Sequence, residues 1–387
     1  MSVLDIGADE LQSLGREAGL DLLRVAHAAP FEETERVYLD RFHAGMLGEM
    51  RWITPERISA GCNPQELLPG AKSILIGAVS YLTTEHPAGE RGGPRGKVAR
   101  YALGDDYHYT VKPKLQALHR ELERRLGRPI RARISVDSGP VVDRAVAARA
   151  GLGWYGKNTM ILTPRLGSWV LLGAMLVDVE LPPSTPVRKS CGACTRCMVA
   201  CPTGALTAPG VLDSRRCISY LTIELKGPIP AELRPLMRDW VFGCDICQEV
   251  CPVNRKVSAP DHIEYLPRAR WGADVDLIEL MGLTDEQFRE RFRGSPVKRT
   301  KRRGLLRNVA IALGNSRDLR AVPALIRALD DHEPLVRGHV AWALGRMGGE
   351  ASRTALEAAL GIEEDEWVRE EMQLALDAII QNTGADA

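Results

Sequence analysis

The chain has 387 residues, 45% hydrophobic and 26% charged, a balance that excludes wholesale disorder and predicts two or three globular domains. Its 51 Lys and Arg nearly cancel its 50 Asp and Glu, so the net charge of +1 indicates no class of partner. Eight of the nine cysteines fall between Cys191 and Cys251. This crowding excludes a disulfide scaffold spread through the fold and indicates one metal-binding segment.

The first segment, residues 1–180, mixes helix and strand patterns. It opens on an acidic amphipathic stretch with neither a secretion signal nor a twin-arginine pair, so we expect a cytoplasmic protein. Apolar runs at 74–81 and 169–179 predict buried strands that are too short to cross a membrane. Leucines at 115, 118, 122 and 126 predict a helix ending at Gly127. Residues 130–136 then alternate as a strand, and 145–150 predict a short helix.

Cysteines dominate the second segment, residues 181–260, which begins with a proline-rich linker. It reads CxxCxxCxxxCP from Cys191 to Pro202, continues through Cys217, and closes with CxxCxxxCP from Cys244 to Pro252. In two-cluster ferredoxins the closely spaced cysteines bind one 4Fe–4S cluster and the cysteine before proline binds the other. We therefore assign one cluster to Cys191, Cys194, Cys197 and Cys251, and the second to Cys201, Cys217, Cys244 and Cys247.

Two zinc sites with four cysteines each are the competing interpretation, since zinc also binds CxxC pairs. Zinc would gain nothing from the third cysteine or from the Cys-Pro pairs, and the pattern contains no histidine. The spacing therefore favours iron–sulfur clusters, which form a one-electron relay. The remaining cysteine, Cys62, lies far away in the sequence, and we assign it no role.

A connecting segment, residues 261–303, leads into an all-helical tail, residues 304–387, that repeats. LLRNVAIALGNS (305–316) is echoed by LVRGHVAWALGRMG (335–348) and by WVREEMQLALDAI (367–379), with a second helix pattern between copies. Paired helices in tandem predict HEAT-like repeats, a binding platform without chemistry of its own. An ordinary amphipathic helical bundle is the alternative.

One glycine motif in the first segment resembles nucleotide-binding loops and is rejected as such. GLGWYG (151–156) matches GxGxxG, but it follows a predicted helix instead of a strand. With Lys157 it nearly forms a Walker A loop, but Asn158 stands where Ser or Thr must bind magnesium. The turn remains either a cradle for a polar cofactor edge or a tight helix-to-strand connection.

Two polar groups are candidates for chemistry. Asp137, in VDSGP (136–140), ends a predicted strand, where a carboxyl serves either catalysis or the cap of a following helix. DDYHYT (105–110) gathers two acids, two tyrosines and a histidine, or forms a surface turn that opens the next helix. These residues alone leave both choices open.

Four strings together carry a family resemblance: RYALGDDYHY (100–109), VDSGPVVDRAVAARAGLGWYGKNTMILTPRLGSW (136–169), CISYLTIELKGPIP (217–230) and FGCDICQEVCPVN (242–254). The chain resembles the epoxyqueuosine reductases, and the likeness covers nearly its whole length. The resemblance implies an α/β multidomain protein: a nitroreductase-like α+β cobalamin domain, a bacterial ferredoxin-like domain with two 4Fe–4S clusters, and C-terminal HEAT-like repeats. It also implies reduction of epoxyqueuosine to queuosine at the wobble position of tRNA.

The same resemblance assigns residues to this reaction. Asp137 aligns with the family's proton donor, for which it must be protonated near neutral pH, as burial beside an apolar corrin would favour. The resemblance implies base-off cobalamin, and the absence of a DxHxxG motif for a histidine ligand agrees with it. The implied cobalamin contacts are Arg57, Tyr101, Asp137, Asn158, Ile161, Leu172, Glu224, Gln248, Glu249 and Val250.

A basic run between residues 291 and 307 carries eight Lys and Arg without an acid. Such runs are usually solvated surface, but here the run leads into the helical repeats, where phosphate contacts would position a tRNA anticodon arm. The predicted tRNA contacts are Lys298, Arg299, Lys301, Arg302, Arg303 and Arg307.

Three rival functions have different consequences. A ferredoxin-type electron carrier would need neither cobalamin nor Asp137. A cobalamin-dependent reductive dehalogenase would typically be exported. A tRNA-binding scaffold leaves the ordered cysteines unexplained. For the reductase we expect a monomer that receives electrons from an external low-potential donor.

Overall fold

The computed structural model describes residues 6–83, 93–258, 262–271 and 275–385. The chain divides into two compact units, both built from separated segments. Unit 1 comprises residues 1–84, 105–215 and 245–265, and unit 2 comprises 85–104, 216–244 and 266–387. These units differ from the four consecutive segments that the sequence predicts, because both contain part of the cysteine segment.

The helices are numbered in chain order: α1 (Ala8–Glu17), α2 (Glu32–His43), α3 (Pro55–Cys62), α4 (Pro64–Leu67), α5 (Tyr107–Leu126), α6 (Asp143–Arg149), α7 (Arg196–Ala200), α8 (Ile218–Ile223), α9 (Ile246–Glu249), α10 (Leu277–Met281), α11 (Asp285–Arg291), α12 (Lys301–Ser316), α13 (Val322–Ala328), α14 (Pro334–Met347), α15 (Glu350–Leu360) and α16 (Glu366–Ala385). The strands are β1 (Leu22–His27), β2 (Ser73–Ser80), β3 (Lys97–Val98), β4 (Ala132–Ser135), β5 (Trp154–Tyr155), β6 (Ile161–Leu162), β7 (Val170–Val177), β8 (Leu206–Ala208), β9 (Val211–Leu212) and β10 (Trp240–Phe242).

Unit 1 is built on a four-stranded antiparallel sheet in the order β1-β2-β7-β4. Strands β2 and β7 are the apolar runs that the sequence predicts, and every residue of β2 is buried. Gly173 on β7 lets α5 approach closely, since a Cβ there would lie 2.7 Å from the Leu115 side chain. The predicted strand at 130–136 is shorter than expected, because only Ala132–Ser135 pair with β7.

Helix α5 ends as the sequence predicts and begins inside the DDYHYT string. Its last residue is followed by Gly127, whose φ of 64° places it in the left-handed region that favours glycine. At the other end the Asp106 side chain caps the helix by accepting the His108 backbone N–H at 3.0 Å. DDYHYT therefore opens helix α5, which is one of the two interpretations that the sequence left open.

The glycine motif at 151–156 connects helix α6 to strand β5, in the order opposite to a dinucleotide-binding loop. Gly151 adopts a φ of 68°, which only glycine reaches without strain. The structure thus confirms that this motif is not a Rossmann fingerprint.

Unit 2 contains the repeats, in which α12, α14 and α16 alternate with the shorter α13 and α15. The Ala-Leu-Gly string that closes α12 and α14 has a packing reason. A Cβ at Gly314 would lie 3.0 Å from the Ala343 Cα, and one at Gly345 would lie 2.8 Å from the Ala375 Cα. Each glycine therefore lets its helix pack directly on the next copy. In the last copy the equivalent position is Asp377, which is exposed.

Part of the cysteine segment belongs to unit 2 because α12 binds its backbone. The Arg307 guanidinium donates to the carbonyl oxygens of Leu221 (2.6 Å), Leu225 and Gly227 (both 2.8 Å). The neighbouring Asn308 amide donates to the carbonyl oxygens of Thr222 (2.8 Å) and Val241 (2.9 Å). Buried carbonyls need such partners, so residues 216–244 fold with the repeats although their cysteines suggest a separate ferredoxin-like domain.

Within the described residues, no helix is both long enough and apolar enough to cross a membrane.

Candidate active site and cofactor centres

Asp137 lies on a loop directly after β4, at the edge of the sheet of unit 1. Its φ of 54° is left-handed, a conformation that Asp and Asn adopt more readily than most residues. Arg57 on α3 secures this loop by donating from Nη2 to the Ser138 carbonyl oxygen at 2.8 Å. The Asp137 side chain is 55% exposed and so accessible to a ligand. The following helix, α6, begins at Asp143 with Val142 as its N-cap, so Asp137 does not cap it.

The first turn of α5 presents two side chains to Asp137. The Tyr107 hydroxyl donates to Asp137 Oδ2 at 2.6 Å, and His108 Nε2 lies 3.6 Å from the same oxygen. His108 Nδ1 contacts Asp106 Oδ1 at 2.7 Å, and the ring stacks on Tyr107 with 4.3 Å between centroids. The hydrogen bond to Asp106, followed by the nearby Asp137 carboxylate, raises the pKa of His108 to about 9.

A second carboxyl lies behind the loop. The Oδ1 atom of Asp143, the first residue of α6, is buried without a hydrogen-bond partner in the described chain. Burial, followed by the nearby Asp137 carboxyl, raises the pKa of Asp143 to about 8, while Arg144 acts in the opposite direction. The sequence analysis missed this residue, because nothing in its helical pattern marks it as buried.

The predicted cobalamin contacts fall in both units. In unit 1, Asn158 is buried and donates to the Cys247 carbonyl oxygen at 3.3 Å, linking its loop to α9. Gln248 is also buried, and its Oε1 accepts from Tyr81 (3.2 Å) and Ser168 (2.8 Å). The others in unit 1 are Arg57, the buried Ile161, the half-buried Leu172 and Val250, and the exposed Glu249.

Two predicted contacts, Tyr101 and Glu224, belong to unit 2. Tyr101 packs at the edge of the hydrophobic core of that unit, with its ring 6.2 Å from that of Phe242. Glu224 pairs with Arg299 at 2.6 Å through Oε1, while its Oε2 is buried without a hydrogen-bond partner in the described chain. That orphaned oxygen is a suitable acceptor for an amide donor of a ligand.

The first predicted set of cysteines converges in unit 1. Cys251 is buried in a small cluster with Trp154 and Leu162, against which Cys191 packs. Burial raises the pKa of Cys251, and the Cys191 and Cys194 thiols add to this effect. Burial likewise raises the pKa of Cys197, to which Cys191 and Cys251 contribute. Thiols separated by 54 to 60 residues of sequence are thus neighbours, as a shared cluster requires.

The chemistry of this donor set fits an iron–sulfur cluster. Its four members are all thiols, and three of them recur at the CxxCxxC interval that such clusters use. Among the residues that the structure describes, no group of three or more His, Cys, Asp or Glu side chains is arranged to hold a single metal ion.

The second predicted set is divided between the two units of the fold. Cys201 and Cys247 belong to unit 1, where α7 and α9 pack together, and Cys217 and Cys244 belong to unit 2. All four are of intermediate exposure. Their grouping around one cluster remains a prediction from spacing. Cys62, by contrast, is 1% exposed in the apolar core of unit 1, and burial raises its pKa to about 11.

The structure corrects two of the predicted tRNA contacts. Arg307 has no exposed surface and is held by three backbone carbonyls, so the prediction that it contacts phosphate is wrong. Arg302 is 9% exposed and forms a bidentate pair with Asp331, so it too is structural. In both cases oxygen atoms of the protein interior accept the hydrogen bonds that the guanidinium would otherwise donate to phosphate.

The rest of the basic run remains at the surface of unit 2. Lys298, Arg299 and Lys301 are exposed, and Arg303 is partly exposed. Lys226 joins them, since its Nζ donates to the Arg299 carbonyl oxygen at 3.3 Å, although it lies far upstream and was not predicted. We call these five residues the basic patch.

The cysteine pattern, the α/β unit and the helical repeats together define an iron–sulfur oxidoreductase. A family model described as a 4Fe-4S double cluster binding domain matches residues 190–254, and one described as HEAT repeats matches 301–377. The predicted fold class, an α/β protein with a region for two 4Fe–4S clusters and C-terminal HEAT-like repeats, is thereby confirmed. A third model, described as Epoxyqueuosine reductase QueG, matches residues 62–138.

Full-length relatives identify the family. The epoxyqueuosine reductase of Bacillus cereus is 38% identical over 371 residues, covering 94% of this chain and 95% of its own. The Escherichia coli epoxyqueuosine reductase is 37% identical, covering 88% and 89%. The chain belongs to the epoxyqueuosine reductase family.

Solved structures agree with this membership. An epoxyqueuosine reductase crystallised with an epoxyqueuosine-modified tRNA-Tyr stem loop superposes with a TM-score of 0.90 at 34% identity, covering 96% of this chain and 98% of its own. The Bacillus subtilis enzyme, described with an aspartate catalytic loop swung out of the active site, has a TM-score of 0.89, the same identity and the same coverage.

Proposed function

We propose that this protein reduces epoxyqueuosine to queuosine at the wobble position of tRNA, with Asp137 as the proton donor. The observation that carries the proposal is the placement of the Asp137 loop and the first cysteine set in one compact unit, in a chain similar along its length to a reductase solved with a modified stem loop. Removing the epoxide oxygen as water requires electrons and protons together. We propose Asp137 for the delivery of a proton and the cysteine-bound clusters for the delivery of electrons.

Cobalamin, when bound, would supply a strongly reducing cobalt centre, and the two clusters would deliver electrons one at a time. The residues of unit 1 fit a corrin. Ile161 and Leu172 are apolar, and Arg57 and Asn158 offer hydrogen-bond donors. The buried Asp143 Oδ1 still lacks a partner in the described chain. In the same unit we propose Gln248 and Glu249 at the end of α9, with Val250 directly after it, as further contacts.

Asp137 is suited to act on the departing oxygen. Its carboxyl is exposed, its loop is held by Arg57, and Tyr107 fixes Oδ2 by a hydrogen bond. A positioned acid of this kind contributes about 10²- to 10⁴-fold to a rate. An unpaired base in an anticodon loop can be turned out of its stack toward such a group.

A ferredoxin-type electron carrier is the main alternative, since it shares the cysteine pattern. It predicts about eight irons per chain but no corrin spectrum, whereas the reductase predicts both. As a tRNA-modifying enzyme the protein would act in the cytoplasm. We expect a monomer that draws on an external low-potential electron donor.

The decisive test is complementation of a strain that lacks its own epoxyqueuosine reductase and accumulates epoxyqueuosine in tRNA. Expression of this chain is expected to convert the accumulated nucleoside to queuosine, measured by nucleoside analysis of digested tRNA. If epoxyqueuosine persists while the purified protein carries its clusters and corrin, the proposed substrate is wrong.

Charge reversal in the basic patch is expected to weaken tRNA binding. In the double variant K298E/K301E both side chains are exposed, so the fold should be preserved. Because phosphate contacts release counterions, we expect at least about tenfold weaker binding near physiological salt, and a salt dependence whose log–log slope falls by about one per lost contact. Fluorescence anisotropy with an anticodon stem loop at several salt concentrations measures both.

A matched control is R327E/R353E, which makes the same change of charge on α13 and α15 outside the patch. Arg327 is exposed, whereas Arg353 is partly exposed and pairs with Glu350 and Glu357. Surface ion pairs of this kind contribute little to stability, so we expect the control variant to remain folded. Equal loss of affinity in the two double variants would indicate a general charge effect and would refute a specific docking role for the patch.

A further inference from the structure

His108 stands between two carboxyls, one on each side of its ring. Nδ1 contacts Asp106 at 2.7 Å and Nε2 faces Asp137 at 3.6 Å, while the Tyr107 ring stacks on the imidazole. In the described chain, the charged groups that act on His108 are Asp106 at the start of α5 and Asp137 from the loop after β4. Both favour the protonated ring, so His108 is an imidazolium at neutral pH.

This arrangement poses a problem for a proton donor at Asp137. A facing imidazolium and a donated Tyr107 hydroxyl both favour the carboxylate, which has no proton to give. Exclusion of water changes the balance, because an ion pair loses more solvation than a neutral pair of the same groups. When substrate and cofactor cover the exposed Asp137, transfer of the proton from His108 to Asp137 becomes more favourable.

We propose that His108 is a positioning residue that holds the proton Asp137 delivers, with Asp106 orienting the imidazole; this rests on the proposed function. The Nε2–H bond of His108 breaks as an O–H bond forms on Asp137 Oδ2, which leaves both groups neutral. Asp137 then passes that proton to the departing oxygen and becomes a carboxylate again. His108, whose side chain is 28% exposed, recovers a proton from solvent. The electrons are those of the reduction itself.

The D106N variant tests this relay. Asn is as good a helix cap as Asp, so α5 should start unchanged while the largest contribution to the raised His108 pKa disappears. In the wild type, turnover should hold up to about pH 9 and fall above it as His108 loses its proton. In D106N the fall should begin at least about one pH unit lower. H108Q should lose about 100-fold in turnover while binding cobalamin and tRNA normally.

A second readout does not depend on activity. Diethyl pyrocarbonate acylates neutral imidazole, so peptide mass spectrometry of the full-length holoenzyme at increasing pH reports the titration of His108. Its midpoint should fall in D106N, while the curve for His119, on the same helix but hydrogen-bonded to the Ile130 carbonyl oxygen, should not move.

The outcomes separate this inference from the proposed function. An unchanged His108 midpoint in D106N, or full turnover in H108Q, would overturn the relay while leaving Asp137 as donor. A wild-type protein that leaves epoxyqueuosine intact would instead remove the proposed reaction, whatever the titration shows.

Discussion

Replacing Asp137 with Asn is expected to reduce turnover by about 10²- to 10⁴-fold while leaving cobalamin, both clusters and tRNA bound. The amide has no acidic proton to deliver to the departing oxygen. Asn suits the backbone, because it tolerates the left-handed conformation at this position (φ 54°) about as well as Asp. It also keeps an oxygen to accept the Tyr107 hydroxyl. Single-turnover conversion of modified stem loop, together with iron content and corrin absorbance, measures the effect.

The matched control is D178N. Asp178 follows β7 and pairs with Arg131, beside the start of β4, whereas Asp137 follows the end of β4. The same chemical change is thus made at the opposite end of β4, and turnover should be retained. Wild-type turnover in D137N would remove the proton-donor assignment. Loss of corrin in D137N would indicate a binding role instead.

Replacing Cys251 with Ala is expected to lower iron from about eight to about four atoms per chain and to abolish turnover. Cys251 is buried beside Trp154, with Cys191 packed against the same cluster of side chains. Its loss removes one ligand of the first cluster and leaves the second set of cysteines intact. Iron analysis and electron paramagnetic resonance of the reduced protein, purified without oxygen, measure the loss.

Cys62 provides the control for this experiment. It is buried among apolar side chains on α3 and belongs to neither predicted cluster. C62A should keep about eight irons and lose only about 1 kcal/mol of stability, as small truncations in a core do. Full iron content in C251A would refute its place in the first cluster. Zinc in place of iron in the wild type would restore the competing interpretation.

Local patterns predicted much of the fold. The leucine spacing and Gly127 located α5 to its last residue, and the Ala-Leu-Gly strings located the repeat helices. Helix ends and repeats follow from neighbours within a few residues, so a sequence can show them. The length of β4, by contrast, depends on its pairing with a distant strand, since only four residues of the predicted strand pair with β7.

The site was predictable in its parts but not in its assembly. Asp137 and the DDYHYT string were both recognised as candidates, yet each also had an unremarkable explanation. The fold brings the two candidates together, because Tyr107 and His108 contact Asp137 although most of α5 and all of β4 lie between them in the sequence. Asp143 and Lys226 had no distinguishing local pattern. Only their surroundings in the fold mark the first as a buried acid and the second as part of the basic patch.

The sequence by itself determined the cysteine spacing, and hence predicted the iron–sulfur chemistry, because three of the ligands of such a cluster commonly recur at short intervals along the chain. It also showed where basic residues concentrate, but not which of them face solvent. The tertiary structure decided that Arg302 and Arg307 serve the fold, while Lys298 and Lys301 remain exposed. The physical reason is that an arginine turns to the interior only where buried oxygen atoms can accept its hydrogen bonds, and otherwise stays free to reach phosphate. Those oxygen atoms belong to distant segments such as 221–227, so the local sequence does not show them.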